Sequence, residues 1–285
     1  MKRPLIVALS VAAAALLAVS ASSCTRTTAR AADAVSPRTW NRVFSERFDT
    51  SMVVNETTES VNSVSPDWWL DSGANFNVAN GVGSTIVGDA PEGYYRMRYA
   101  QRNPVDTDGG AHPQNLFRLL TTQTWDGATR QECYFRILDY HLSDSPQRYD
   151  PNGLLIFTRY KDADNLYYAG IRVDGHAIVK KKSAGVYYTL AERQVLPGHY
   201  DHAKEPILLP EHRWIGLRSE AVDNRDGSVT VSLYMDERAN GVWKLLAQGI
   251  DAGVGGKPFR GPTRTGVRTD FMDVQLDNFA VSQGR

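Results

Sequence analysis

A five-residue pattern occurs three times in the C-terminal half of this 285-residue chain: glycine, an apolar residue, arginine, any residue, then a carboxylate. The copies occupy residues 170–174, 216–220 and 266–270. In an extended strand, side chains two positions apart point to the same face. Each copy therefore places its arginine beside its carboxylate and sends its apolar residue to the opposite face. The copies are too unevenly spaced for a repeat array, so we expect equivalent strands of one sheet that carries a row of arginines. These are Arg172, Arg218 and Arg268.

The rest of the chain also has the pattern of strands. Short runs rich in Val, Ile, Tyr, Phe and Thr alternate with Gly, Asp, Asn and Pro, and helical periodicity is nearly absent. This predicts an all-β fold, a two-sheet antiparallel β-sandwich, with irregular loops at residues 103–114 and 194–213 as natural places for binding groups. The predicted strands are residues 94–99, 115–121, 130–139, 153–160, 166–173, 177–182, 214–222, 228–236, 242–248, 266–269 and 273–281.

Several of these segments resemble a known family. Residues 165–175 and 178–182 look like the central hairpins of concanavalin A-like (laminin-G-like) jelly rolls, and residues 214–220, 231–236 and 276–279 resemble the later strands of that superfamily. The resemblance extends roughly over residues 153–282 and implies a concanavalin A-like β-jelly roll. Because lectins, glycosidases, polysaccharide lyases and non-catalytic modules share this fold, the resemblance implies little about function.

The N-terminus is typical of a targeting segment. A short positive start precedes an Ala/Leu/Val run at residues 5–19 that is too short for a comfortable membrane span. We expect a signal peptide at residues 1–23, a flexible tether at 24–39 and a single β-jelly-roll domain at 40–285. Residues 21–24 resemble a bacterial lipobox, which favours lipidation of Cys24 over ordinary cleavage. The expected location is outside the cytoplasm, as a membrane lipoprotein or a secreted protein, with a lipid anchor as the sole membrane contact.

Charge and cysteine content exclude several classes of protein. Lys and Arg number 32 and Asp and Glu also number 32, so the chain lacks the basic excess of nucleic-acid-binding proteins. Attraction for an anion must come from local arrangement. With two cysteines, Cys24 and Cys133, the chain has neither a disulfide framework nor a cysteine-based metal site.

The arginine-bearing strands predict a ligand face. Within residues 130–136, the arginines, the glutamate and the tyrosine share one parity, opposite Cys133 and its apolar neighbours. Arginine binds carboxylates through two parallel hydrogen bonds, and tyrosine offers stacking area for sugar rings. The alternative is a solvated face of cross-strand ion pairs, each contributing under ~1 kcal/mol. The candidate ligand-binding residues are Glu132, Tyr134, Arg136, Tyr168, Arg172, Arg218 and Arg268.

An enzyme remains an alternative. Cleavage of a uronate polymer by a lyase needs a base, an acid and a group that neutralises the carboxylate. His141 is the candidate base, Tyr140 or Tyr168 the acid, and Arg136 or Arg172 the neutralising group. The surrounding residues depart from the motifs of jelly-roll alginate lyases. The Glu-x-Asp-x-Glu pattern of glucanases with this fold is missing, so a lyase is favoured over a hydrolase.

Related jelly rolls often hold calcium where the first and last strands meet. The corresponding candidate ligands are Asp49, Asp277 and Asn278, and no other cofactor is predicted. The leading hypothesis is an exported domain that binds an extracellular polysaccharide, with anionic polymers among the candidates. The alternatives are a polysaccharide lyase that acts on a uronate-containing polymer and a structural or protein-recognition domain of the laminin-G-like kind.

Overall fold

The computed structural model describes residues 38–285, so the predicted signal peptide, Cys24 and most of the predicted tether lie outside the described residues. Within that range the chain forms sixteen strands and one α-helix, α1, at Tyr94–Arg102. The strands are β1 (Trp40–Glu46), β2 (Met52–Asn55), β3 (Trp68–Ser72), β4 (Asn75–Ala79), β5 (Val82–Ser84), β6 (Leu116–Thr121), β7 (Thr129–Tyr140), β8 (Gly153–Asp162), β9 (Asn165–Arg172), β10 (His176–Ser183), β11 (Val186–Gln194), β12 (Ile215–Asp223), β13 (Val229–Asp236), β14 (Lys244–Asp251), β15 (Arg264–Asp270) and β16 (Met272–Gly284).

The strands form two antiparallel sheets, which confirms the predicted β-sandwich of the jelly-roll class. The nine-stranded sheet has the order β14-β13-β12-β7-β16-β5-β4-β2, and β1 also pairs with β16. The seven-stranded sheet has the order β11-β10-β9-β8-β15-β6-β3. Strands that are neighbours in space are often distant in sequence, as when β16 pairs with β7, so the fold is closed by long-range pairing.

The core lies between the inner faces of the two sheets. In β7, Cys133, Phe135 and Ile137 are buried and alternate with half-buried polar residues, as the parity argument predicts. The apolar residue of each five-residue copy is also fully buried. These are Ile171, Leu217 and Val267. Burial of a side chain of this size contributes roughly 1.5–3 kcal/mol, so this position of the pattern serves the fold.

The predicted strand at 94–99 is wrong, because this segment belongs to the helix Tyr94–Arg102. Its alternation of tyrosine and arginine imitates a strand, but Tyr95 and Tyr99 are also four residues apart and therefore share a helical face. That face packs on a small apolar cluster beside the main core, formed with Ala74, Ile86 and Ala90. Packing of an amphipathic face decides the conformation of so short a segment.

The expectation that the three copies belong to one sheet is also wrong. Arg172 is in β9 and Arg268 in β15 of the seven-stranded sheet, whereas Arg218 is in β12 of the nine-stranded sheet. The glycine of the pattern allows close packing of neighbouring strands. A Cβ atom at Gly170 or Gly266 would lie 2.2 Å from a carbonyl oxygen of the neighbouring strand.

The two long loops are largely irregular, as predicted. Residues 103–112 form successive turns that lead into a short 3-10 helix at Pro113–Asn115, and residues 195–213 contain no strand longer than an isolated bridge. Between residues 38 and 285, no helix has the length and apolar character needed to cross a membrane.

Candidate functional site

The outer face of the nine-stranded sheet carries two interlocked ion pairs. Arg218 of β12 lies opposite Glu132 of β7, and Glu220 lies opposite Arg130, so each cross-strand pair joins opposite charges. The closest nitrogen–oxygen distance is 2.7 Å in both pairs. Tryptophan rings cover both guanidinium groups, with Trp40 4.3 Å from Arg130 and Trp243 4.1 Å from Arg218. The protein's own carboxylates and aromatic rings therefore occupy these arginines.

The two remaining predicted ligands of this face are also engaged. Arg136 donates from Nε to the Gln275 side-chain oxygen at 2.7 Å, and its guanidinium lies 5.0 Å from the Trp214 ring. Tyr134 donates its hydroxyl to Asp236 at 3.1 Å. Burial, together with that hydrogen bond and the Asp236 charge, raises the Tyr134 pKa to about 12. Tyr134 is therefore a neutral donor at any physiological pH.

Arg172, on the seven-stranded sheet, is enclosed by acids. It contacts Asp174 at 2.6 Å and Glu192 at 3.0 Å, and it also pairs with Asp150. The Arg172 side chain is 7% exposed. Three carboxylates around one guanidinium leave no free hydrogen-bonding edge for a ligand carboxylate, so Arg172 is a structural anchor for the 150–152 segment.

Tyr168 lies in a second apolar cluster, on the outer face of the seven-stranded sheet. Its neighbours on the same strand, Tyr167 and Ala169, point the other way into the main core. Burial raises the pKa of Tyr168 well above its usual range. The cluster forms an apolar floor beneath the charged side chains of this face. Its other members are Trp69, Leu120, Leu155, Phe157, Tyr160, Leu166 and Ile178.

An open groove of about 370 Å³ lies beside this floor, where α1 packs along the edge of the seven-stranded sheet. Arg118 of β6 and Arg268 of β15 face each other across the strand pairing. Helix α1 adds Arg98 and Arg102, which are one turn apart and so share a helical face. The groove is also lined by the carboxylates of Glu56, Asp71 and Asp270.

Three of the four groove arginines have a carboxylate partner. Arg98 lies 2.9 Å from Glu56, Arg118 lies 3.0 Å from Asp71, and Arg268 lies 2.9 Å from Asp270. The fourth, Arg102, is exposed and makes no ion pair with any residue in the range 38–285. Four arginines against three carboxylates leave the groove with a net positive charge when every carboxylate is ionised.

Burial disfavours the charged form of two of the groove carboxylates. Burial raises the pKa of Asp71 and outweighs the opposing effect of the Arg118 charge. Burial likewise raises the pKa of Asp270 against the effect of Arg268. The Asp270 Oδ2 atom is buried and accepts no hydrogen bond from the described residues. The surplus guanidinium group, that of Arg102, favours an additional anion in this groove.

The third acid of the groove is fixed by a tyrosine. Tyr99 donates its hydroxyl to Glu56 Oε2 at 2.5 Å and accepts a hydrogen bond from the Gly73 backbone at 2.7 Å. Glu56 also accepts from the Ala74 backbone at 3.0 Å. Helix α1 is thereby tied to the β3–β4 turn, which holds Arg98 and Arg102 in place above the sheet.

The structure does not bring together the residues predicted for lyase chemistry. Tyr140 lies in the main core, and burial raises its pKa to about 12. Arg136 is on the outer face of one sheet and Tyr168 on the outer face of the other. His141 is buried beyond the end of β7, in contact with Asn115. Arg172, the other candidate for neutralising the substrate carboxylate, is enclosed by the acids described above.

The predicted calcium ligands lie where the first and last strands meet, since β1 pairs with β16. Asp277 accepts hydrogen bonds from the backbone and side-chain nitrogens of Asn278 at 2.6 and 2.9 Å. Burial raises the pKa of Asp277, and the nearby Asp49 charge adds to that effect. Within residues 38–285, the group of three metal-ligating side chains with converging donor atoms lies elsewhere, at Asp139, His141 and Asp273.

Sequence reasoning named Arg268 as a ligand and placed Asp270 beside it, but it did not predict the other groove residues as ligands. Arg118 follows Phe117 in a predicted strand, and its parity places it opposite the core, so the strand pattern held the signal. Arg98 and Arg102 were hidden by the mistaken strand at 94–99. Asp71 and Glu56 come from segments without a predicted strand, and long-range folding alone brings them to the groove.

Comparison with known proteins found proteins of similar structure but no relative by sequence. No protein-family model matches the chain, and no curated protein matches it. A mutant of the GH43 protein BlXynB from Bacillus licheniformis is 11% identical, with a TM-score of 0.46 over 86% of this chain and 40% of that one. A Bacillus subtilis protein of unknown function with a galectin-like fold is 11% identical, with a TM-score of 0.46 over 86% and 99% of the two chains. The PL-14 alginate lyase from Aplysia kurodai is 7% identical, with a TM-score of 0.40 over 85% and 99%. This chain thus spans less than half of the Bacillus licheniformis chain, and its fold is defined by its own sheet topology.

Proposed function

We propose that the protein binds an extracellular anionic polysaccharide in the groove formed by α1 and the seven-stranded sheet. The observation that carries this proposal is the excess of guanidinium groups. Arg98, Arg102, Arg118 and Arg268 converge there with three carboxylates, and Arg102 makes no ion pair within the described residues. The volume of about 370 Å³ is within the range of ligand sites.

The chemistry of the lining favours uronate units over neutral sugars. A guanidinium group donates two parallel hydrogen bonds to a carboxylate, and Arg102, which is exposed and makes no ion pair within residues 38–285, is available for such a contact.

Calorimetric titration with oligosaccharides of pectate and of alginate, and with neutral dextran oligosaccharides as a comparison, tests this proposal. We expect binding of at least one uronate oligosaccharide and none of the neutral one. Arg102→Gln should weaken binding about tenfold, because a charged hydrogen bond contributes roughly 1.5–3 kcal/mol and Arg102 is exposed. Arg118→Gln should weaken it further.

Two matched variants separate the groove from other arginines. Arg193→Gln alters an exposed arginine on β11, at the far edge of the same sheet. Arg218→Gln alters an arginine of the other sheet that is already paired with Glu132. Both should bind as the unaltered protein does. Loss of binding in Arg218→Gln with retention in Arg102→Gln and Arg118→Gln would place the site on the nine-stranded sheet and refute the groove.

The same samples test the lyase alternative. Cleavage by elimination leaves unsaturated ends that absorb ultraviolet light, so a rise in absorbance during incubation with the uronate polymers would add catalysis to binding. Failure to bind any glycan, with normal folding, would instead favour the structural or protein-recognition role.

An extracellular ligand requires export of the chain. We propose that residues 1–23 direct export and that Cys24 carries a lipid, on the strength of the apolar run and the lipobox-like residues 21–24. Metabolic labelling with a radioactive fatty acid should mark the protein and fail to mark Cys24→Ala. An unlabelled but exported protein would indicate ordinary signal cleavage.

A further inference from the structure

A second polar cavity, of about 420 Å³, opens beyond the end of β7 and is separate from the arginine groove in its lining. Asp139 and Asp273 are cross-strand partners of β7 and β16, so their side chains start from adjacent positions. His141 follows β7, and its backbone N–H donates to the Phe271 carbonyl at 2.8 Å. The donor atoms of Asp139, His141 and Asp273 all lie within 4.8 Å of one another.

The surrounding hydrogen bonds determine which nitrogen of His141 is free. Nδ1 lies 2.6 Å from the side-chain oxygen of Asn115. The Asn115 amide is oriented by its own NH₂ group, which donates to the Asp106 carbonyl at 2.9 Å and to Asp108 at 3.3 Å. The Asn115 oxygen is therefore an acceptor, and Nδ1 of His141 carries the proton. In the neutral imidazole, Nε2 then holds the lone pair.

This Nε2 atom is buried beside the Asp273 carboxylate. The His141 side chain is 4% exposed, and Nε2 lies 2.9 Å from Asp273 Oδ1 without the alignment of a hydrogen bond. Asp273 already accepts from Gln114 Nε2 at 2.9 Å and from the Gly88 backbone at 2.7 Å, so its carboxylate is held as an acceptor. Two acceptor atoms this close, without an aligned hydrogen bond, point toward a common third partner.

The charge around the cavity favours a cation. Its lining includes Asp89, Asp108, Asp139 and Asp144, while none of the residues that line it is lysine or arginine. His112 stacks beside His141 with ring centroids 4.2 Å apart. Its two ring nitrogens face Asp108 at 2.8 Å and Asp89 at 3.2 Å, which leaves Asp139 and Asp273 to attract the cation.

We propose that Asp139, His141 and Asp273 bind a divalent transition-metal ion of the Zn²⁺ or Mn²⁺ class. A nitrogen and an oxygen bound to one ion at ~2.0–2.2 Å lie about 3 Å apart at the octahedral angle and about 3.4 Å apart at the tetrahedral angle, so the 2.9 Å between Nε2 and Oδ1 is close to the octahedral separation. An imidazole ligand favours these ions over calcium, which takes oxygen ligands. Asn115 and Gln114 orient the ligands from behind, as partners of metal-binding histidines and carboxylates commonly do.

The site would fasten the 103–115 loop to the sandwich. Ser143 and Ser145 already donate to Asp108 and Asp106 of that loop at 2.5 and 2.6 Å. The loop continues directly into β6, which carries Arg118. The metal proposal stands without the glycan proposal, because its residues, its cavity and its test involve no sugar.

The test is titration of the chelator-treated protein with Zn²⁺, Mn²⁺ and Ca²⁺ separately, followed by calorimetry and by thermal unfolding. We expect one Zn²⁺ or Mn²⁺ per chain and a higher Tm with the ion bound. Asp139→Asn is the main variant because the Asp139 side chain is 69% exposed, so the fold should tolerate the change. It should weaken metal affinity at least about tenfold. Asp144→Asn, which alters an acid of the same cavity outside the ligand group, should change affinity little.

Cobalt substitution gives a second readout that does not depend on stability. Co²⁺ bound in this site should give visible absorption bands that are altered in His141→Gln, provided circular dichroism shows that the variant is folded. Absence of Zn²⁺ and Mn²⁺ binding would overturn the proposal. Binding of Ca²⁺ alone, or metal affinity unchanged in Asp139→Asn, would overturn it as well.

Discussion

Lys181 offers the sharpest test of how the sandwich is held together, because its ammonium group is buried without any contact with water. Its Nζ atom lies 2.8 Å from Asp251 and donates to three backbone carbonyls of the 254–257 segment at 2.7, 2.8 and 3.1 Å. Both side chains of the pair are 0% exposed. Asp251 also accepts from the Tyr167 hydroxyl and from the backbone N–H groups of Gly253 and Val254.

Replacing Lys181 by methionine keeps most of the side-chain volume and removes the charge. The variant leaves a buried carboxylate without its cation and three carbonyls without a donor. Breaking a buried ion pair from one side costs about 3–5 kcal/mol. For a domain of this size, 1 kcal/mol corresponds to roughly 2–4 °C in Tm, so we expect a decrease of about 10 °C. Urea unfolding followed by circular dichroism measures the free energy directly.

The neighbouring lysine provides the matched control. Lys182, one position later on β10, points to the opposite face, where it contacts the exposed Asp164 at 3.1 Å. Lys182→Met should cost no more than about 1 kcal/mol, because an exposed ion pair contributes little. Equal costs for Lys181→Met and Lys182→Met would refute the argument that burial of the ion pair, rather than its presence, sets the magnitude.

Three further outcomes follow from the same structure. Burial alone would raise the Asp236 pKa, but N–H groups of the 238–241 turn and the Tyr134 hydroxyl lower it. The contribution of this carboxylate to stability is therefore complete above the unfolded pKa of ~3.9 and is lost as pH falls through the lower folded value. Asp236→Asn should reduce the slope of unfolding free energy against pH below about pH 4. Gly266→Ala should cost ~1–3 kcal/mol in urea unfolding, because its Cβ would lie 2.2 Å from a backbone oxygen. In Gly216→Ala the new Cβ would lie 2.7 Å from the ring of Trp243, which can move. That variant should therefore cost less and should shift the tryptophan fluorescence. Binding of uronate oligosaccharides should weaken as salt rises, since Arg102 is exposed to screening, and affinity that does not change between low and high salt would contradict an arginine-led site.

The fold class could be predicted from the sequence, but the assignment of strands to the two sheets could not. Alternation along β7 predicted correctly which residues enter the core, because a strand with one buried face has a period of two. The same alternation occurs in both sheets, so it cannot assign Arg172 and Arg218 to different ones. That assignment depends on which strands pair, and the pairs that decide it, β8 of the β8–β9 hairpin with β15 and β12 with β7, join segments that are distant in sequence.

The three arginines of the opening pattern show why local sequence underdetermines a binding site. Arg218 pairs with Glu132 of another strand and not with Glu220 of its own copy, which pairs with Arg130 instead. Arg172 and Arg268 both contact the acid of their own copy, but Arg172 gains two further acids from neighbouring segments. Arg268 gains a second arginine, Arg118, as its cross-strand neighbour. In two copies of this motif, nearby acids therefore balance the arginine, whereas in the third copy Arg268 lies in a groove with surplus positive charge. Arg118 of the adjoining strand and the arginines of helix α1 supply that surplus.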